Sequence, residues 1–297
     1  MKKIAYILST LLVAAMASTA AAQTCEPGTY DRHRGECSLG TQAPTPVDLL
    51  NVIRTGAPSA VVSSLEYAES VDCAECFPLV QRAALDSADA EVREVSAWWL
   101  RRRIFGFGAA MLQMQNVLAT DSDPVRRARA ANAIGIFHDP HGLDALRAAA
   151  TTDRDATVRA AAVRGIGDIN ISVGNTVVAA ALADSDVGVR RAALAAVMQL
   201  SFFRQYDALL PLLGDSEASV RRSAAQLIGQ FRVDAAVTAL AGMLRSDADV
   251  NVRQAAAWAL GRIGGADAQG ALAEASMTES SSLVKSAIDI ARLMRRP

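Results

Sequence analysis

The sequence predicts an all-α chain folded as an α-solenoid, and three observations lead there. Seven short blocks line up along most of its length: DAEVREVS from 89, DPVRRARA from 123, DATVRAAA from 155, DVGVRRAA from 186, EASVRRSA from 217, DVNVRQAA from 249 and SSLVKSAI from 281. Six begin with an acid, and a basic residue follows four positions on. The basic residues are Arg93, Arg127, Arg159, Arg190, Arg221, Arg253 and Lys285, at intervals of 34, 32, 31, 31, 32 and 32. Such a fixed period is the mark of a repeat architecture. Each interval also holds two helical patterns, an apolar-periodic stretch such as GLDALRAAA (142–150) or DALLPLLG (207–214), then a second such as VRAAAVRGIG (158–167). A helix pair this short cannot bury its apolar face alone, so neighbours must stack.

The elements follow in chain order. Lys2 and Lys3, the apolar run Ile4–Met16 and the small residues Ala20-Ala21-Ala22 read as a signal peptide over 1–22, with the mature chain starting at Gln23. The run falls short of the ~20 residues a membrane span takes, and no later segment is uninterrupted enough to be one. Residues 23–46 (CEPGTYDRHRGECSLGTQAPTP from 25) lack apolar periodicity and read as a Cys-containing leader and linker. Residues 47–76 are expected to form an N-terminal helical cap, and 77–297 the solenoid. Cys25, Cys37, Cys73 and Cys76 are an even set in an exported chain, which favours disulfides. The simplest pairing is Cys25–Cys37 with Cys73–Cys76; cross-pairing is the competitor.

Within each unit, the acid before the second helix should cap free N–H groups and suit the positive end of the helix dipole. Glycines at 135, 167, 229 and 264 are expected to stop those helices in the left-handed position. The D-x-D-x-x-V-R-x-x-A-A-x-A-L-G pattern, clearest in DRDATVRAAAVRGIG (153–167) and DADVNVRQAAAWALG (247–261), resembles HEAT repeats of the short, phycobilisome-lyase-like type. The resemblance runs from about residue 77 to 294. It implies a right-handed superhelix of about seven helix pairs, with the second helices lining the concave side.

Most chemical readings fall away. The D-x-D turns (121–123, 153–155, 184–186, 247–249) lack the central Gly and closing Glu of an EF-hand calcium loop. They read as caps and as inter-repeat ion pairs, a ladder comprising Asp89, Arg93, Asp123, Arg127, Asp155, Arg159, Asp186, Arg190, Glu217, Arg221, Asp249 and Arg253. His138, Asp139 and His141 are the weak candidates for a metal, in a segment whose Pro140 and Gly142 mark an ordinary turn. HEAT-like deoxyhypusine hydroxylase uses His-Glu pairs, and this chain has no His-Glu dipeptide. No G-x-S-x-G, Walker loop, H-E-x-x-H or C-x-x-C-H occurs, so neither a catalytic residue nor a cofactor is expected. Without Lys2 and Lys3 the chain carries 28 basic and 31 acidic residues, a balance that argues against a dedicated nucleic-acid binder.

One surface remains. Positions are counted from the Val that precedes each repeat's Arg or Lys, a slot held by Arg126 in the second block. Positions four, five and eight are small or apolar in almost every copy, as in Ala130, Ala131 and Ile134, and should face the core. Position two (Glu94, Ala128, Ala160, Arg191, Arg222, Gln254, Ser286) and position six (Trp98, Asn132, Arg164, Ala195, Gln226, Trp258, Ile290) vary freely. Residues four apart share a helix face, so these form one exposed stripe. Trp98, Arg164, Arg191, Arg222, Gln226 and Trp258 are the expected contacts for a protein partner or acidic peptide, or an anionic glycan. Trp99 aligns with core positions, and Arg101–Arg103 are expected to extend their helix with charge suited to its C-terminal end. The sequence therefore reads as an exported non-catalytic scaffold. Its alternatives are an enzyme or enzyme subunit of the HEAT-like lyase or hydroxylase kind, and an envelope glycan-binding module.

Overall fold

The computed structural model describes residues 30–31, 36–37 and 43–294. The signal-peptide reading and the Cys25–Cys37 pairing lie outside the described residues. The chain divides into two compact units, 1–80 and 81–297.

In the first unit, β1 (Tyr30–Asp31) pairs antiparallel with β2 (Glu36–Cys37), placing Tyr30 opposite Cys37. Helix α1 (Pro46–Thr55) starts on a capping box, in which Thr45 accepts from the Asp48 N–H and Asp48 accepts from that of Thr45. Helix α2 (Pro58–Tyr67) follows, and Leu49, Leu50, Val61, Val62 and Leu65 are buried. Cys73 and Cys76 are disulfide-bonded in the turn before α3 (Phe77–Asp86), the helix in which the division falls.

The second unit is an α-solenoid. Its first helices are α5 (Phe107–Thr120), α7 (Leu143–Thr152), α9 (Asn175–Ala181), α12 (Val237–Ser246) and α14 (Ala266–Thr278). Its second helices are α4 (Ala90–Arg101), α6 (Pro124–Phe137), α8 (Ala156–Ile169), α10 (Val187–Gln199), α11 (Ala218–Phe231), α13 (Val250–Ile263) and α15 (Ser282–Leu293). Positions four, five and eight are buried in α4, α6, α8, α10, α11 and α13. In α15 only position four is buried. Its Asp289 and Arg292 are exposed, because no further repeat is described beyond it.

Two local expectations change. DALLPLLG was expected as an α-helix, yet Tyr206–Gly214 is a 3₁₀ helix. Pro211 lies inside it, and a proline ring clashes with the carbonyl four residues back while leaving the tighter turn open. Nor do Gly135, Gly167 and Gly229 stop their helices. Each helix runs two residues further and ends on a non-glycine residue with left-handed backbone: His138 (φ 49°), Asn170 (φ 53°) and Arg232 (φ 55°). Of the four glycines, only Gly264, with φ 71°, sits at a helix end.

The interior glycines serve close approach instead. All three occupy position nine, and Gly261 does so in α13. A Cβ on Gly135 would stand 2.6 Å from the Gly165 Cα of the next repeat, and one on Gly229 or Gly261 2.7 Å from the Cα of Ala259 or Ala291. Small residues at position nine and at position seven of the following repeat let second helices touch backbone to backbone. First helices carry no such ladder and stand further apart.

A ladder of guanidinium rungs and an exposed second-helix face

The D-x-D turns divide two tasks between their acids. The second acid caps its helix: Asp89, Asp123, Asp155, Asp186 and Asp249 each accept N–H groups of the first turn. The first acid receives the arginine of the repeat before it. Arg127 grips Asp153 with Nε and Nη2, both at 2.8 Å, and Arg159 grips Asp184 identically. Arg190–Asp215, Arg221–Asp247 and Arg253–Glu279 repeat the fork. Every one of these arginines also donates Nη1 to the carbonyl of its own repeat's first acid, at 2.7–3.0 Å. One guanidinium thus fastens its own turn and the next.

These carboxylates titrate accordingly. The fork from the preceding arginine holds Asp153, Asp184 and Glu279 below their ordinary values. For Asp215 and Asp247 burial pulls upward, and the guanidinium with the turn's N–H overcomes it. Asp153, Asp184 and Asp247 belong to the D-x-D turns that the sequence marks for inter-repeat pairing, whereas Asp215 and Glu279 were not singled out. Two ladder residues depart from the pattern. Arg126, in the Val slot, takes Asp121 with Nε at 2.8 Å and also contacts Asp86. Arg93 therefore has no carboxylate among the described residues and donates to the Ser87 and Ala88 carbonyls. Glu217 stands at the α11 N-cap without capping it. Its side chain, one methylene longer than Asp, leans to Arg191 at 3.5 Å.

The expected stripe is mostly exposed. Glu94, Arg191, Arg222, Gln254 and Ser286 are exposed at position two, and Asn132, Arg164, Ala195, Gln226 and Ile290 at position six. Ala160 is the correction: it is buried, because a methyl is too short to leave the packed surface. Arg164 and Arg222 have no ion-pair partner among the described residues, in contrast to the rungs. Arg191 donates to Ser219 Oγ at 3.0 Å. Trp98 and Trp258 are half-buried, and each carries an arginine over its ring, Arg102 at 4.5 Å and Arg262 at 5.8 Å. Trp258 also lies against Gly229, whose Cβ would come within 2.8 Å of the ring. The predicted aromatic contacts are therefore flat floors of the face.

Trp99 is fully buried, as its alignment with core positions suggested. Arg102 and Arg103 do not extend the helix as expected, and Arg103 turns inward. It is buried, covers the Trp99 ring at 4.1 Å and donates Nε to the Trp99 carbonyl at 3.2 Å. Helix α4 ends at Arg101, so the chain turns back and the third arginine folds inward.

His138, Asp139 and His141 do not converge. The ring of His138 bonds through Nδ1 to the Asp168 carbonyl at 2.7 Å, while His141 pairs with Asp139 at 2.6 Å. Among the described residues no three His, Cys, Asp or Glu side chains are grouped as metal ligands. Asp168 itself is raised by burial, against the Gln199 amide and the charges of His138 and Arg164. The two clefts of note lie on the first-helix row, away from the stripe. One of about 680 Å³ runs between α5 and α7 beside Arg127 and Asp153. Another of about 390 Å³ runs between α12 and α14 beside Arg253 and Glu279. Arg127, Asp153, Arg253 and Glu279 are engaged in the ladder, and the second cleft is also lined by the exposed Arg245–Glu274 pair.

Stacked helix pairs joined by guanidinium rungs define an α-solenoid with a helical-repeat scaffold fold. A model of HEAT repeats matches residues 77–167 and 206–291, and the chain belongs to the HEAT-repeat family. No curated protein sequence matches it. Among solved structures it is similar to YibA of Escherichia coli, with a TM-score of 0.57, 16% identity, and coverage of 83% of this chain and 92% of that one. Human deoxyhypusine hydroxylase aligns with TM-score 0.37 and 20% identity over 84% and 96% of the two chains. The CpcE–CpcF phycocyanin lyase of Nostoc aligns with TM-score 0.37 and 19% identity over 86% and 96%. At these identities the likeness speaks to fold alone.

Proposed function

We propose that the protein is an exported, non-catalytic scaffold that binds a protein partner, through an acidic segment, along the concave second-helix face. The observation that carries this reading is the contrast among arginines. Those at the repeat turns are consumed by the ladder, whereas Arg164 and Arg222 stand exposed on the stripe without an ion pair among the described residues, Arg164 acting only at a distance on the Asp168 carboxylate. Exposed arginine beside tryptophan is the composition of binding hot spots. Export rests on the signal-like segment and on the pairing of Cys73 with Cys76. Amino-terminal sequencing of the secreted or periplasmic fraction should begin at Gln23.

The test of the binding reading is the double charge reversal Arg191→Glu/Arg222→Glu. Capture of the native partner from an envelope extract should be abolished, and unchanged capture would sink the reading. Retention of anionic oligosaccharides by the wild type, without any protein, would favour the glycan-binding alternative. Stoichiometric iron or zinc in the purified protein would turn the assignment towards an enzyme.

A further inference from the structure

The second-helix row is interrupted between α10 and α11. At position nine, where α6, α8, α11 and α13 have glycine, α10 has Met198. Opposite it, position seven of α11 is Leu227, where the other α8, α10, α13 and α15 positions are Gly165, Ala196, Ala259 and Ala291. The buried Leu227 now takes the site of backbone contact while Met198 stays exposed beside it, and α10 and α11 touch less than the other neighbouring second helices. The first helix of this repeat is replaced by the 3₁₀ segment Tyr206–Gly214. The family match also lapses here, between 167 and 206. Arg191 reaches across the break to Ser219 and Glu217.

Met198 is not absorbed by this opening: it is 68% exposed, and Phe202, four residues on, is 62% exposed. At 100° per residue, positions two, six and nine lie within about 60° of one another on the helix. Met198 therefore belongs to the same stripe as Arg191, with Arg164 one repeat before and Arg222 one repeat after. The face thus combines an apolar spot with guanidinium groups on both sides, where the α6–α8, α8–α10, α11–α13 and α13–α15 boundaries are closed by small residues.

The geometry points to the α10–α11 break as the anchor seat of the binding face, taking one apolar side chain of an extended acidic peptide whose carboxylates meet Arg164 and Arg222. This rests on the scaffold reading above and adds the place and the chemistry. Neighbouring helices stand roughly 8–10 Å apart and an extended strand rises ~3.3 Å per residue, so acids should recur about every three residues around the anchor. Glu217 is the internal competitor, holding Arg191 in the absence of peptide.

The experiment is a double-mutant cycle on the full chain. The probes are a fluorescein-labelled peptide of about twelve residues, with glutamates three apart and one central leucine, and its leucine-to-serine counterpart. The chains are wild type and Met198→Gln/Phe202→Ser, two exposed positions whose replacement should leave the melting curve unchanged. With wild type, the serine peptide should bind about tenfold more weakly, in keeping with burial of one leucine. With the variant, the two peptides should bind within about twofold of each other. A leucine effect of equal size on both chains overturns the seat; if Arg222→Glu still weakens binding, the groove reading survives it. Failure of both peptides to bind wild type also overturns the seat, and the extract experiment then judges the groove separately.

Discussion

Asp184→Ala removes the receiving end of one rung, and its cost can be worked from the geometry. The carboxylate accepts two guanidinium N–H groups of Arg159 at 2.8 Å and the Asp186 N–H at 2.8 Å. Side-chain exposure of the pair is 15% and 13%, so water reaches it poorly. Removing one partner of a buried pair costs roughly 3–5 kcal/mol, because the remaining charge stays desolvated. This rung lies at a turn that can open slightly, so about 2–3 kcal/mol is expected. Arg159→Met/Asp184→Ala should recover part of it, since no charge is then stranded. The control is Glu274→Ala. Glu274 pairs with Arg245 at 3.3 Å with both side chains about 60% exposed, and its loss should cost under about 0.5 kcal/mol. Guanidinium chloride denaturation gives the totals. Hydrogen exchange should show protection falling first in α8 and α10, since a solenoid opens locally. A loss for Asp184→Ala no larger than that for Glu274→Ala, or uniform deprotection along the chain, would refute the ladder as a source of stability.

Further outcomes follow from the same structure. The receiving acids have native pKa values below their unfolded ones, so their stabilisation is complete above the usual carboxylate range and fades as pH falls through the lowered values. Acid unfolding should therefore set in as pH falls through the carboxylate range, and the stability gap between wild type and Asp184→Ala, full at neutral pH, should narrow over that same fall. Gly229→Ala places a Cβ 2.7 Å from the Ala259 Cα and should cost about 1–3 kcal/mol despite alanine's better helix propensity. Gly270→Ala in α14, with nothing within 4 Å, should instead stabilise by about 0.5–1 kcal/mol. Ser96 is buried and its hydroxyl makes no hydrogen bond, while five other repeats have alanine at this position. Ser96→Ala should raise stability by about 1 kcal/mol, or the melting temperature by roughly 2–4 °C.

The fold was legible because a stacked helix pair writes its period twice, once in apolar spacing and once in the acid-to-arginine interval. Position eight, for example, reads Leu100, Ile134, Ile166, Val197, Ile228 and Leu260, and all six are buried. What the sequence obscured is the role of residues whose type serves two geometries. Glycine suits both a left-handed helix end and a close backbone crossing, so Gly135 looks alike in either role. Pairing position nine of one repeat with position seven of the next separates them, and the same pairing exposes Met198 and Leu227. Arg103 was misplaced because positive charge suits a helix C-terminal end, and only the backward turn after Arg101 brings it over Trp99. The exposed arginines of the binding face were legible as variation at positions two and six, whereas the burial of Ala160 shows that variation alone does not guarantee exposure.

From Arg127 to Arg253 each rung joins one turn to the next through the same guanidinium fork, 25 or 26 residues on, so these repeats present a donor forward and an acceptor backward in common register. Whole repeats are therefore interchangeable parts. Duplicating the span between two successive arginines should yield a longer array with every fork intact, since the new acid meets the old arginine in unchanged geometry. The α10–α11 boundary is where this exchangeability stops. A copied α10 would install a second Met198 facing Ala196 instead of Leu227, so lengthening on that side also changes how the row packs. In such a chain the number of repeats can drift freely while the position of the break stays fixed relative to the groove it opens onto.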